Sequence, residues 1–347
     1  MTNILHQKER GLPNSILHQI SKTVEPVIKE ILDSDVDKKN RKLVNYPVSA
    51  GGKRLRPALA VISCRMLGGK TKDVLYAAAG LEILHNYTLI IDDIIDNSDL
   101  RRGKPSTWFK FGKSMANCIG IDYGAAIFQA ANKSKYPVRI SEIFSETMKA
   151  LVDGEILDIL FEKEGREDEP YIVKNHYQTV TKKKYLEMVN KKTAALFQSS
   201  CEVGGICAGA SFKELKALRN FGFNFGMAFQ IKDDILDIFG EEKKFGKKIG
   251  HDIEEKKWSN IIILFALKKL NSFDKNQLSK ILEKKKITKK DIRKSVKIIK
   301  KTNAADLSLE FGEKYIQKAK NNLDLLPQNK WNNLLREISE FAIEREK

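Results

Sequence analysis

Cysteine, histidine and proline are scarce in these 347 residues, at four, five and eight. Cys64, Cys118, Cys201 and Cys207 show no C-x-x-C spacing, which excludes a zinc ribbon or a disulfide-dense scaffold, and they read as reduced core residues. Alternating strand patterns are almost missing, and nothing repeats except one pair of acidic segments, so sheet-built folds and solenoids are excluded. No apolar run reads as long enough to span a membrane, and the stretch from Met1 to Lys8 lacks the apolar centre of a secretory signal. The expectation is a soluble, cytoplasmic protein without stable membrane insertion. With 42% hydrophobic residues, the chain can still bury a large core.

What the sequence does have is positive charge and helical periodicity. The formal net charge is +17, and the lysine excess is densest toward the C-terminal third, at Lys284-Lys285-Lys286, Lys289-Lys290 and Lys300-Lys301. Basic surfaces bind nucleic acid or anionic lipid. Here the lysines alternate with Ile and Leu at helical spacing and no nucleic-acid module accompanies them. They read as a solvated face, with no nucleic-acid partner.

From Leu81 to Ile95 the residues form a helix that is apolar nearly all round. It carries Asp92, Asp93 and Asp96. Asp92 and Asp96 are four apart and share a face, and His85 lies two turns back on the same line. Clustered anions on a mostly buried helix repel one another and lose hydration, so they either protonate or meet a cation. Mg²⁺ is the simplest cation, since it takes one or two carboxylates and leaves its other positions to water and phosphates. A surface helix with an acidic tip is the plainer alternative. Against it stands a second copy, Asp233-Asp234-Ile235-Leu236-Asp237, in another apolar helix stopped by Gly240. Two such helices facing across a cavity would hold several Mg²⁺ ions around a diphosphate.

Cationic stretches accompany the motifs. Gly51-Gly52-Lys53-Arg54-Leu55-Arg56-Pro57 is a tight turn before a helix start, which suits an anion or is merely solvated. Arg101-Arg102-Gly103 follows the first acidic motif. Lys192 sits on an apolar helix, where it needs an anionic partner. The loop from Phe245 to Ser259 has glycines and lysines that could close over a phosphate. Other helices are expected over 15–32 with a kink at Pro26, up to Leu67, from an N-cap at Thr71, over 122–131, 140–161 and 181–208, and beyond Asn260 with breaks near Asn271 and Pro327. Residues 1–12 should fray.

These five motifs, in this order between Gly51 and Ser259, resemble the polyprenyl synthetase family, the trans-isoprenyl diphosphate synthases. His85-Asn86-Tyr87-Thr88 and Arg101-Arg102-Gly103 are most similar to archaeal-type geranylgeranyl diphosphate synthases. The resemblance implies an all-α, single-domain helical bundle of the isoprenoid synthase type over 1–347, around a central catalytic cavity, usually a homodimer. It implies Mg²⁺-assisted condensation of isopentenyl diphosphate with dimethylallyl, geranyl or farnesyl diphosphate, giving an all-trans product, most readily geranylgeranyl diphosphate.

By the same resemblance Lys53, Arg56, His85 and Arg102 would hold isopentenyl diphosphate. Asp92, Asp96, Asp233 and Asp237 would ligate Mg²⁺, with Asp93 part of the catalytic set. Arg101, Lys192, Lys257 and Lys247 or Lys248 would grip the allylic diphosphate, Thr193 and Gln230 would line the reacting end, and Tyr87 would set product length. Ile91, Lys256 and Ser259 stand where the family commonly has His, Gly and Thr. The alternatives are a farnesyl or longer-chain synthase, a terpene cyclase, a regulatory subunit of a heteromeric synthase, and a non-catalytic basic helical binding protein.

Overall fold

The computed structural model describes residues 12–162, 166–240 and 250–345, and the periodic segments are helices almost throughout. Residues 1–11, where fraying was expected, and the loop segment with Lys247 and Lys248 lie outside the described residues. The fold is all-α. Among the described residues the one named strand pair is the antiparallel ribbon Leu100–Arg101 with Lys104–Pro105. Its turn residues, Arg102 and Gly103, both have positive φ, the geometry that matches strand twist in a two-residue hairpin.

The chain divides into two compact units. The first comprises Met1–Lys149, Leu196–Phe223 and Ala319–Ser339, the second Ala150–Ala195, Asn224–Lys318 and Glu340–Lys347. The chain crosses from one to the other inside continuous helices, among them Pro137–Phe161 and Phe212–Phe239.

The first unit is built on the helix Thr71–Ile95, against which Leu12–Asp33, Leu55–Met66 and Lys113–Asn132 pack. Leu81, Ile83 and Leu84 on it are fully buried, each contributing about 2 kcal/mol of transfer free energy. This helix corrects one expectation, because it is long and apolar enough to cross a membrane; 61% of its apolar stretch is buried inside the protein, as in a core helix. A second correction concerns its start. Lys70, not Thr71, is the N-cap, and its N–H donates to the Asp73 carboxylate. A third concerns Cys118, which is exposed on the outer face of Lys113–Asn132, while Cys64, Cys201 and Cys207 are buried.

In the second unit Asn260 caps the helix Ile261–Lys269, accepting from the Ile262 and Ile263 amides. Where one helix was expected over 181–208, the chain forms Lys182–Val189, then a π-helical turn Asn190–Ala194, then Ala195–Ala208. A π turn widens the ladder and re-aims the side chains it carries, here Lys192 and Thr193. Gly154 makes room for it, since a Cβ there would collide with the Lys192 backbone nitrogen.

Candidate active site

In the first unit the expected Lys53, Arg56, His85 and Arg102 lie on or beside two turns and the helices that adjoin them. Arg54, in the left-handed region at φ 48°, is buried and donates to Glu82 at 2.9 Å and to the Val48 and Gly51 carbonyls at 2.9 and 3.1 Å. Removing either partner of this buried pair would strand a charge, so Arg54 fixes the shape of the Gly51–Gly52 turn. The Arg102 guanidinium donates to the Gly51 carbonyl and lies close over Gly52, whose φ of +136° is a backbone conformation that favours glycine. Lys53 is exposed beside them.

Arg56 donates from Nη1 to His85 Nε2 at 3.1 Å and lies over the Phe197 ring, 4.5 Å from its centroid. Burial, then the cations Arg56, Arg102, Arg101 and Arg54, hold His85 well below its ordinary pKa, so the ring is neutral and Nε2 accepts. Of the expected set, Arg56, His85 and Arg102 therefore lie together. Arg54, absent from that set, positions it.

The acidic motif on the same helix is not uniformly buried as its apolar setting suggested. Asp93 is buried, at 3% exposure, and its carboxylate takes the Arg101 guanidinium at 2.9 Å. Asp92 and Asp96 are half-buried on one face of the final turn. One turn apart on this helix, Tyr87 and Ile91 face Gly120 of Lys113–Asn132, where a Cβ would lie 3.3 Å from Ile91 Cδ1 and 3.9 Å from Tyr87 Cε2. The helix commonly begins this motif after a His; here the apolar Ile91 fills that contact.

The second unit holds the other cluster. Lys192 on the π turn meets Glu155 at 2.6 Å and Asp158 at 2.7 Å, and Lys257 meets Glu255 at 2.8 Å and Asp158 at 3.8 Å. Ser259 donates to the other Asp158 oxygen at 2.7 Å, which a threonine would do equally well. Burial alone would raise the Asp158 pKa, but Lys192 and Lys257 hold the carboxyl well below the usual range. Sequence reasoning missed Asp158. The available signal was an acid at 158, one turn from Gly154 on an otherwise apolar helix face.

Thr193 donates to Gln230 at 2.9 Å, and Gln230 donates to Asp234 at 2.8 Å. Asp234 also receives Tyr185 at 2.8 Å and the Ile261 amide at 2.9 Å. Burial and Asp252 push its carboxyl well above the usual range. Asp233 is a third exposed and pairs with Arg345 at 2.8 Å. Asp237 is the last aspartate of the second motif. It is buried, and its two oxygens accept the His251 and Asp252 amides, each at 3.1 Å, tying down the short helix His251–Glu254. Lys256 adopts φ +59°, which accounts for glycine being common there, and its buried Nζ donates to the Lys285 carbonyl.

Among the described residues no three His, Cys, Asp or Glu side chains cluster as a closed metal cage. The accessible donors are carboxylates in ones and twos, Asp92 with Asp96 and Asp233 apart. That donor set fits Mg²⁺, a hard cation that completes its coordination with water and substrate phosphates.

Residues 37–299 match the family model described as polyprenyl synthetase. The chain belongs to this family. It is 38% identical over 285 residues to the short chain isoprenyl diphosphate synthase of Methanocaldococcus jannaschii, covering 80% of this chain and 82% of that protein. It is 32% identical to the geranylgeranyl diphosphate synthase of Methanosarcina mazei, covering 94% and 96%. Among solved structures it is similar to geranylgeranyl pyrophosphate synthetase from Pyrococcus horikoshii, with a TM-score of 0.83, 32% identity and coverage of 95% and 98%. It also resembles the polyprenyl synthase of Caulobacter crescentus, solved with calcium and isoprenyl diphosphate, with a TM-score of 0.85, 28% identity and coverage of 96% and 98%.

Proposed function

We propose that this chain is a Mg²⁺-dependent trans-prenyltransferase that condenses isopentenyl diphosphate with dimethylallyl, geranyl or farnesyl diphosphate and releases geranylgeranyl diphosphate. The observation that carries this reading is the patch of Arg56, His85 and Arg102, whose His85 lies two turns back from Asp92 on the helix that bears the first acidic motif. A cyclase ionises a single diphosphate; a condensing enzyme must hold a second, and this patch serves that need.

In this mechanism Lys53, Arg56 and Arg102 bind the isopentenyl diphosphate head, and neutral His85 orients Arg56. By the family resemblance Asp92, Asp96 and Asp233 would hold Mg²⁺, which would supply positive charge for the departing diphosphate. By the same resemblance Arg101, Lys192 and Lys257 would add fixed positive charge to that group, so that the allylic C–O bond breaks to leave a carbocation. The apolar flank of Tyr87 and Ile91 keeps water from quenching it. The double bond of isopentenyl diphosphate attacks, the new C–C bond forms, and the proton lost from the adjacent carbon passes to the released diphosphate. Thr193 and Gln230 orient the reacting end. Lys247 and Lys248, outside the described residues, complete the set by family resemblance.

Tyr87 precedes Asp92 by five residues, about 7.5 Å along the helix axis, and is proposed as the floor that stops chain growth. The assay is incubation with Mg²⁺, labelled isopentenyl diphosphate and each allylic primer, reading the chain length of the dephosphorylated products. A dominant geranylgeranyl product supports the reading, and no incorporation with any primer by folded protein overturns it. Tyr87→Ala is expected to shift the products longer, and an unchanged distribution removes Tyr87 from that role.

The active form is proposed to be a homodimer. Cys118, Ile121, Ala125 and Phe128 follow helical spacing along the outer face of Lys113–Asn132, with Ile121 75% and Phe128 59% exposed. Such a stripe is costly to leave in water. A solution mass of one protomer at micromolar concentration would refute the dimer.

A further inference from the structure

The basic C-terminal segment has no part in the proposed reaction, and its arrangement is more ordered than solubility requires. Between Lys280 and Lys301 the sequence holds eleven Lys or Arg against two acids, and all eleven cations are exposed. On the helix Lys289–Ile299, Asp291, Ser295, Ile298 and Ile299 form the buried side. Lys290, Arg293, Lys297 and Lys300 follow at intervals of three and four and so form one stripe on the solvent side, flanked by Lys289 and Lys294. Like charges at this spacing destabilise their own helix, whereas a surface tuned for solubility alone intersperses both signs.

The stripe ends beside an exposed aromatic. Lys301 pairs with Asp274 at 2.6 Å, and the neighbouring Phe273, at the start of Ser272–Leu282, is 71% exposed. The helices Ser272–Leu282 and Lys289–Ile299 pack together, so the cations and the ring belong to one hairpin.

We infer that this hairpin docks the protein peripherally on an anionic lipid bilayer, with the Lys290, Arg293, Lys297 and Lys300 stripe over the headgroups and Phe273 at their boundary with the acyl chains. Clustered cations on an amphipathic helix are drawn to a negative leaflet, and the adjoining Phe273 has an apolar phase to enter there that the outside of a base-paired DNA duplex does not offer. A bilayer is also where a prenyl diphosphate tail partitions, and only this supporting point rests on the proposed reaction.

The test is co-sedimentation of the full chain with vesicles of phosphatidylcholine alone and of three parts phosphatidylcholine to one part phosphatidylglycerol, with a short DNA duplex as competitor. Binding is expected to the anionic vesicles only, to fall as salt is raised, and to weaken at least about tenfold in the triple variant Lys290→Glu, Arg293→Glu, Lys297→Glu. Phe273→Ser should weaken it less and leave the salt dependence intact. Thermal melting of the variants establishes that they fold, and prenyl transfer from soluble substrates should be unchanged. Equal binding to both vesicles, no binding to either at low salt, an undiminished triple variant, or displacement by DNA at equal phosphate concentration each overturns the proposal. None of these readouts depends on turnover, so failure of the reaction assay and failure of docking are separable.

Discussion

The two acidic motifs have the same letters and different uses. In the first, Asp93 is buried against Arg101, while Asp92 and Asp96 keep an accessible face. In the second, Asp234 is buried under Tyr185, Gln230 and the Ile261 amide, and Asp237 is committed to the His251 and Asp252 amides. Only Asp233 remains accessible, with Arg345 beside it. The middle aspartate of each motif is therefore a fastener, and the motifs offer two carboxylates and one. The cations differ in a parallel way. Arg56 donates to the neutral His85 ring and Arg102 to the Gly51 carbonyl, groups that carry no negative charge. Lys192 and Lys257 are held by Glu155, Asp158 and Glu255, and must share their charge between these carboxylates and any ligand.

The largest expected effect comes from setting an accessible aspartate against a fastening one. Asp92→Asn should lower kcat by about 10²–10³-fold with an unchanged melting temperature. Asp234→Asn should instead show its main effect in thermal melting. If both variants melt alike and lose activity alike, the division of roles is wrong.

Asp158→Asn sharpens the contrast between the cation sets. It releases Lys192 and Lys257 from their shared anchor and should raise the KM for the allylic substrate about 10–100-fold, with the KM for isopentenyl diphosphate little changed. A parallel rise in both constants would mean that Asp158 acts through general stability.

Arg345→Gln addresses the ion pair on Asp233. Without divalent metal the variant should be less stable by about 1 kcal/mol, since the pair is only partly screened from solvent. Saturating Mg²⁺ with inorganic diphosphate should narrow that gap in thermal melting, because Asp233 then has another cation. A gap that does not change on adding them would dissociate Arg345 from the metal site.

The smallest effect concerns pH. Burial, only partly offset by Arg166, raises the Glu162 pKa to about 7. The folded state thus binds more protons here than the unfolded state, and this group's contribution to stability is present below the unfolded value near 4.5 and lost as pH rises through 7. Glu162→Gln lacks that titration. Its stability relative to the unsubstituted protein should climb between pH 4.5 and 7 and then level off, as denaturant melts across that range would record.

Much of the site was legible because helical spacing is rigid. Asp92 and Asp96, or His85 two turns earlier, share a face whatever surrounds the helix. The motif order likewise brought Lys53, Arg56, His85 and Arg102 to notice before their contacts were known. The π turn was not legible, since the backbone that packs against it, at Gly154, lies over thirty residues earlier. Asp158 was hidden for the same reason; an acid on an apolar helix face has meaning only once Lys192, Lys257 and Ser259 converge on it. Cys118 read as core because composition does not say which face of Lys113–Asn132 is outermost.

The sequence by itself determined an all-α chain, two Asp-rich helices and the cations that accompany them, because periodicity and local spacing act within a few turns of the chain. The tertiary structure decided which aspartates are buried under hydrogen-bond partners and which keep an accessible face, which cations lie against carboxylates, and where the helix widens to carry Lys192 and Thr193. Those outcomes depend on burial and on partners distant in the chain, and burial is a property of the folded packing alone.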